Sequence, residues 1–188
     1  MSYTTCERMN DLVTAEVFTH EVFEELVAEV SRLRYPGIHM LFMASNISSS
    51  AMEYMIENDI VTDGFSLVII ATKNRIHIDE RLRLMSRFLE KGADVNDQCF
   101  RSGESVLSDF IEWVDEGNWE DLMPDDVEGR RSMIEDNKRL LTFLLENGAD
   151  PLLENKEGVS PISRHAEPYR YMTTDLILFF GDEMRKYA

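Results

Sequence analysis

The chain has 188 residues, 44% of them hydrophobic, which is enough for one ordinary domain with a real core. Its 36 acidic residues outnumber 19 basic ones, giving a formal net charge of -17. Such a surface repels phosphate backbones and anionic headgroups, which argues against direct nucleic-acid or membrane binding; it suits solubility alone and a basic protein partner equally. Cys6 and Cys99 belong to no CxxC or Cys/His cluster, so neither a disulfide scaffold nor a zinc site is indicated. The first residues carry no basic stretch followed by an apolar one, and the longest apolar runs, 67–71 and 176–180, fall far short of the about 20 residues a bilayer needs. The expectation is a cytosolic protein, or one working in a host cytoplasm.

In chain order, the first element is an amphipathic helix over 15–33, with Val17, Phe18, Val22, Phe23, Leu26, Val27 and Val30 on one face. His20 and Glu24 are four residues apart on it and predict a surface pair. Two shorter helices follow, 41–44 and 51–58. The stretch 63–71 opens with Gly64-Phe65-Ser66 and leads through a basic loop, 73–80, into an apolar stripe from Arg81 that Gly92 closes. Glycine past a helix end takes the left-handed conformation without steric cost, and the aspartate that follows Ala93 can fix the turn through its side chain.

The same ending returns as Leu144-Leu145-Glu146-Asn147-Gly148-Ala149-Asp150-Pro151. Each ending is followed by a glycine-and-serine opening. Gly103-Glu104-Ser105 lies eleven residues after Gly92, and Gly158-Val159-Ser160-Pro161 lies ten after Gly148. Ser49, Ser50, Ser105 and Ser160 fit helix caps, and Pro161 fits a first helical turn, where a missing N–H costs nothing. Between the opening at Gly103 and the ending at Gly148 lies an acidic stretch, 112–129, that holds Trp113 and Trp119. A last helix is expected near 173–180.

This pattern resembles the ankyrin repeat, with Asn155-Lys156-Glu157-Gly158-Val159-Ser160-Pro161-Ile162 the nearest match to the family's opening and 144–151 the nearest to its ending. The resemblance implies an all-α solenoid of paired antiparallel helices with extended turns between units. It divides a single domain into an N-terminal tail and capping helix, 1–35, and four degenerate units, 36–61, 62–96, 97–152 and 153–188. The departures are an insert in the third unit, Ile162-Ser163 where the family has Leu-His, and a final unit with no Gly-Ala-Asp ending. The alternative is an irregular helical domain that reuses the same capping chemistry.

The chain carries no phosphate-binding glycine loop, no Gly-x-Ser-x-Gly and no His-Glu-x-x-His, and neither catalytic residues nor a cofactor nor a metal is expected. What the resemblance implies is a protein-binding module with its groove and turn tips as the gripping surface; its oligomeric state is left open, a monomer being favoured. The expected partner-binding residues are Trp119, Glu120, Asp121, Asp125 and Asp126 in the insert, with Asp97, Phe100, Arg101, Asn155 and Lys156 at the tips. Trp119 suits an interface anchor or a loop staple equally, whereas Trp113 suits the end of an inner helix. A second function fits the charge: an acidic inhibitor of the phage anti-defence or bacterial immunity kind, blocking a basic, nucleic-acid-binding enzyme by mimicry.

Overall fold

A computed structural model describes residues 12, 18–30, 48–59, 76–99, 102–116, 127–164 and 172–188. Seven α-helices account for most of these, and the described residues contain no strand, only an isolated antiparallel bridge between Gln98 and Ser105. The described residues are therefore of the all-α class that the resemblance implies. No helix among the described residues is long and apolar enough to cross a membrane. Two compact units divide the chain, 1–93 and 94–188, and the boundary falls inside the first Gly-Ala-Asp ending.

The first unit contains α1 (His20–Val30), α2 (Ser49–Glu57) and α3 (Ile78–Glu90). Within α1, Leu26 is fully buried, and Phe18 is buried just ahead of the helix. Tyr54 of α2 lies beside both Phe18 and Phe23, with each pair of rings 5.4 Å apart, and its hydroxyl meets His20 Nδ1 at 2.7 Å. His20 also lies 3.7 Å from Glu24, the surface pair expected from their spacing. The cap of α2 is Ser48, whose hydroxyl accepts from the Ala51 amide, so Ser49 and Ser50 fall inside the first turn rather than at its cap.

Helix α3 begins earlier than the basic loop 73–80 implies. His77 is its N-cap, the ring Nδ1 accepting from the Asp79 amide at 3.3 Å, and Ile78, Asp79 and Glu80 form its first turn. The two acids suit the positive end of the helix dipole, and Ile78 is buried. Ala51, Met52, Met55 and Ile56 of α2 and Leu84, Met85 and Phe88 of α3 are also buried, each larger side chain contributing about 1.5–3 kcal/mol.

A charge ladder runs alongside this apolar layer. Arg83 and Arg87 share one face of α3, and Lys91, its C-cap, continues the same row. Arg83 forks onto Glu53 at 2.9 Å and Glu80 at 2.8 Å. Arg87 pairs with Glu53 and, at 3.0 Å, with Glu57, and Lys91 reaches Asp59 at 2.9 Å. The Arg83 hydrogen bonds hold the Glu53 and Glu80 carboxyls below their ordinary range. Every member is partly open to solvent, so each pair adds about 1 kcal/mol at most and the ladder chiefly sets helix register.

The second unit contains α4 (Val106–Glu116), α5 (Val127–Glu146), the single turn α6 (Pro161–Arg164) and α7 (Thr174–Tyr187). Phe110 of α4 is fully buried and stacks on Phe180 of α7 at 6.1 Å. Trp113 is half-buried and stacks on Phe110 at 6.5 Å, as the end of an inner helix should. Helix α5 packs mainly along α7, where Lys138 sits 5.5 Å from the Phe179 ring. The capping serines of this unit are where the sequence puts them. Ser105 accepts from Ser108, and Ser160 and Ser163 form a reciprocal capping box around Pro161.

Two lengths differ from expectation. Helix α7 continues to Tyr187, seven residues past 180, because Leu176, Phe180 and Met184 extend one buried stripe. The stretch 112–129 also holds less insert than its composition suggests. Residues 112–116 finish α4 and 127–129 start α5, whose 20 residues absorb much of the length expected as an insert. The expected inner helix 41–44, the opening 63–71 and the insert residues 117–126 lie outside the described residues.

Candidate functional site

The site is built from the described residues of two tips in the second unit, 97–99 with 102–104, and 153–159. Each follows a Gly-Ala-Asp ending, and the two endings share the same geometry. Gly92 and Gly148 have φ values of +95° and +91°. Ala93 N–H reaches Phe88 C=O at 3.3 Å, and Ala149 N–H reaches Leu144 C=O at 3.0 Å, the long bond of a Schellman motif. The carboxylates of Asp94 and Asp150 each accept, at 2.8 Å, from the amide two residues on. Such an Asx turn fixes the backbone without help from a neighbouring element.

The tips themselves also match. Cys99 N–H donates to Glu104 C=O at 2.8 Å, and Asn155 N–H donates to Val159 C=O at 2.9 Å. Gly103 and Gly158 bond back to Cys99 and Asn155, with φ of +76° and +77°. The first tip closes over one more residue than the second, which accounts for the spacings of eleven and ten between their glycines.

Side chains lock one tip to the other. Gln98 Nε2 donates to Gly103 C=O at 2.6 Å within its own turn and to Glu154 C=O at 2.9 Å in the next. Asn96 clamps the second ending, donating to Gly148 C=O and accepting from the Asp150 amide, both at 2.8 Å. Lys156 N–H reaches Ser102 C=O at 3.3 Å. A surface groove of about 440 Å³ remains, lined by Gln98, Cys99, Gly103, Glu154, Asn155 and Lys156. Cys99 is half-buried there and forms no disulfide.

Three of the expected partner-binding residues can be placed. Asp97 and Lys156 are exposed on the two tips, which the fold brings side by side. Asn155 is half-buried and engaged inward, accepting from the amides of Glu157 and Val159 at 2.9 Å and donating to Glu104 Oε1 at 2.6 Å. Its amide holds the turn in shape. Phe100, Arg101, Trp119, Glu120, Asp121, Asp125 and Asp126 lie outside the described residues. Sequence reasoning missed Gln98, Asn96 and Glu104. Their only signal is a polar residue placed one turn from each closing glycine, which composition cannot separate from ordinary solvation.

Behind the tips, Glu104 is buried and held by Arg164 at 2.5 Å, while the same guanidinium reaches Glu112 at 2.9 Å. Asp109 lies among these charges. Burial, and then repulsion from Glu104 and Glu112, pushes its carboxyl up to about 6, against a smaller opposing pull from Arg164. A carboxyl raised in the folded state favours folding below its unfolded pKa, and that benefit is lost as pH rises through the folded one. Asp109→Asn is therefore expected to stabilise the protein by about 1 kcal/mol at about pH 8, solvent screening of a partly open group reducing the larger effect that the shift alone implies. Urea unfolding at about pH 4, 6 and 8 checks this, with the gain shrinking toward the acid end.

The site offers hydrogen-bonding groups and acidic charge. Among the described residues no group of three His, Cys, Asp or Glu side chains is arranged to hold a metal ion. Exposed Asp97, Gln98, Ser102, Glu154, Lys156 and Glu157 present a mostly acidic rim beside exposed Leu152. Compared with protein-family models and with curated proteins, the chain finds no match.

Proposed function

We propose that the chain is a degenerate ankyrin-type stack that grips a basic protein through its turn tips, with the acidic insert 117–126 adding charge. The observation that carries this reading is the side-chain bracing of the tips by Gln98, Asn96 and Asn155. A turn that merely connects helices has no need of three such clamps. A turn that must present side chains at fixed positions does, because ordering it beforehand removes that entropy cost from binding. The recurrence of the Schellman and Asx geometry at both endings supports the repeat assignment, and the net charge of -17 supports a basic partner.

The test reverses charge on the tips. The triple variant Asp97→Lys, Glu154→Lys, Glu157→Lys is compared with wild type and with Glu57→Lys in the first unit. All are used as cross-linked baits in native host extract, with recovery read by mass spectrometry. The tip variant is expected to lose a basic partner by about tenfold while the control keeps it, and Trp119→Ala reports separately on the insert. Equal recovery by all baits retires the proposal. Binding that collapses with salt but ignores the tips favours the charge-mimic inhibitor instead.

A further inference from the structure

Four charged groups converge where α4, α6 and the first tip approach one another. Asp109 and Glu112 come from α4, Glu104 from the tip and Arg164 from α6. These are the charged groups that act on Asp109, and α5 and α7, which also pack on α4, supply none among the described residues. The set holds three carboxylates against one guanidinium, whose two amino groups are both engaged. Glu104 is more than nine-tenths buried, and its Oε2 has no hydrogen-bond donor although it is shielded from water. An anionic oxygen in that position is costly, and a proton entering the cluster relieves it.

The other oxygen of Glu104 is tied to the second tip. Oε1 accepts from Asn155 Nδ2 at 2.6 Å, and the Asn155 carbonyl oxygen holds the amides of Glu157 and Val159. Whatever displaces Glu104 therefore pulls on the residue that shapes turn 155–159.

We propose that this cluster is a proton-operated brace: it takes up a single proton, on Asp109, and releasing that proton to solvent loosens the Glu104–Asn155 hydrogen bond and the turn it supports. With the proton bound, one negative charge is removed beside Glu104 and the cluster gains an O–H donor. With the proton gone, Asp109 and Glu112 both repel Glu104, and Arg164 alone opposes them. The only bond broken is O–H, and the proton passes to water. A consequence for partner affinity rests on the tip-binding reading above, whereas the brace itself can be tested without any partner.

The test is amide hydrogen exchange at Glu157 and Val159 between about pH 5 and 8, each rate corrected for its intrinsic pH dependence. Protection is expected to fall about fivefold across a midpoint near 6 in the wild type. In Asp109→Asn, protection should stay high at every pH. In Glu112→Gln, which removes one like charge, the midpoint should move to lower pH. A flat wild-type profile, or the same step surviving in Asp109→Asn, overturns the proposal.

Discussion

Replacing Arg164 by leucine is expected to cost about 2–3 kcal/mol of stability, which for a chain of this size lowers the melting temperature by about 5–10 °C. The guanidinium forks between Glu104 at 2.5 Å and Glu112 at 2.9 Å. Of the two, Glu104 decides the magnitude, because its side chain is only 10% exposed while that of Glu112 is 46% exposed. Removing the cation leaves Glu104 buried with Asn155 as its remaining partner. Breaking a fully buried pair costs about 3–5 kcal/mol, and the 24% exposure of Arg164 brings the figure below that range. The exposed Glu112 pair adds little.

Two companion variants separate charge from packing. Arg164→Lys keeps the charge but cannot hold both carboxylates in a fork, so it should fall between wild type and leucine. Adding Glu104→Gln to Arg164→Leu removes the stranded charge and should recover most of the loss, giving a double-mutant coupling of about 1–2 kcal/mol. Urea unfolding of these four proteins, together with the Glu104→Gln single variant that closes the cycle, reads all of this. If Arg164→Leu unfolds within about 0.5 kcal/mol of wild type, the pair has no structural role and the fourfold charge cluster loses its keystone.

What the sequence discloses about this protein is its punctuation. Gly92, Gly103, Gly148 and Gly158 all have positive φ, and each is flagged by its neighbours: an apolar stripe before the endings, a serine after the openings. Local chemistry alone fixes such positions, so a linear reading finds them. Ser105, Ser160 and Pro161 were legible for the same reason. The start of α3 at Ile78 was not, because His77 is an uncommon cap and the surrounding Lys, Arg and His residues look like solvated loop. The charge ladder was equally hidden: Arg83 and Arg87 find Glu53 some thirty residues away, and nothing in the linear chain marks that pairing. The tip site was half legible. Its position followed from the repeat spacing, but the roles within it did not, since an asparagine that braces a turn and one that meets a partner are the same letter. The silence about Gln98 and about the bracing role of Asn155 has that single cause.

The second large effect follows from the same tips and turns on one hydrogen atom. Gly103→Ala is expected to cost about 2–4 kcal/mol, whereas Gly148→Ala should cost only about 1 kcal/mol. Both glycines sit at positive φ, where any L side chain is strained by about 1–2 kcal/mol. That term is common to the two. They differ in what a Cβ would meet. At Gly148 nothing lies within 4 Å, so the backbone strain is the whole effect. At Gly103 a Cβ would sit 2.9 Å from the Lys156 backbone nitrogen and 3.0 Å from its Cγ. A side-chain carbon can swing aside, but a main-chain nitrogen cannot, so the tips must separate. Separation breaks the Lys156 N–H to Ser102 bond and strains the Gln98 bond to Glu154, which spans the same gap. Each net hydrogen bond is worth about 1 kcal/mol, which accounts for the added loss. Denaturant midpoints at unchanged slope give the two energies, and hydrogen exchange at Lys156 gives the local picture: faster in Gly103→Ala, unchanged in Gly148→Ala. Equal costs for the two substitutions would mean that the tips are not in the close contact through which Gln98 and Lys156 hold them, and a rigid two-tip surface would no longer be a basis for binding.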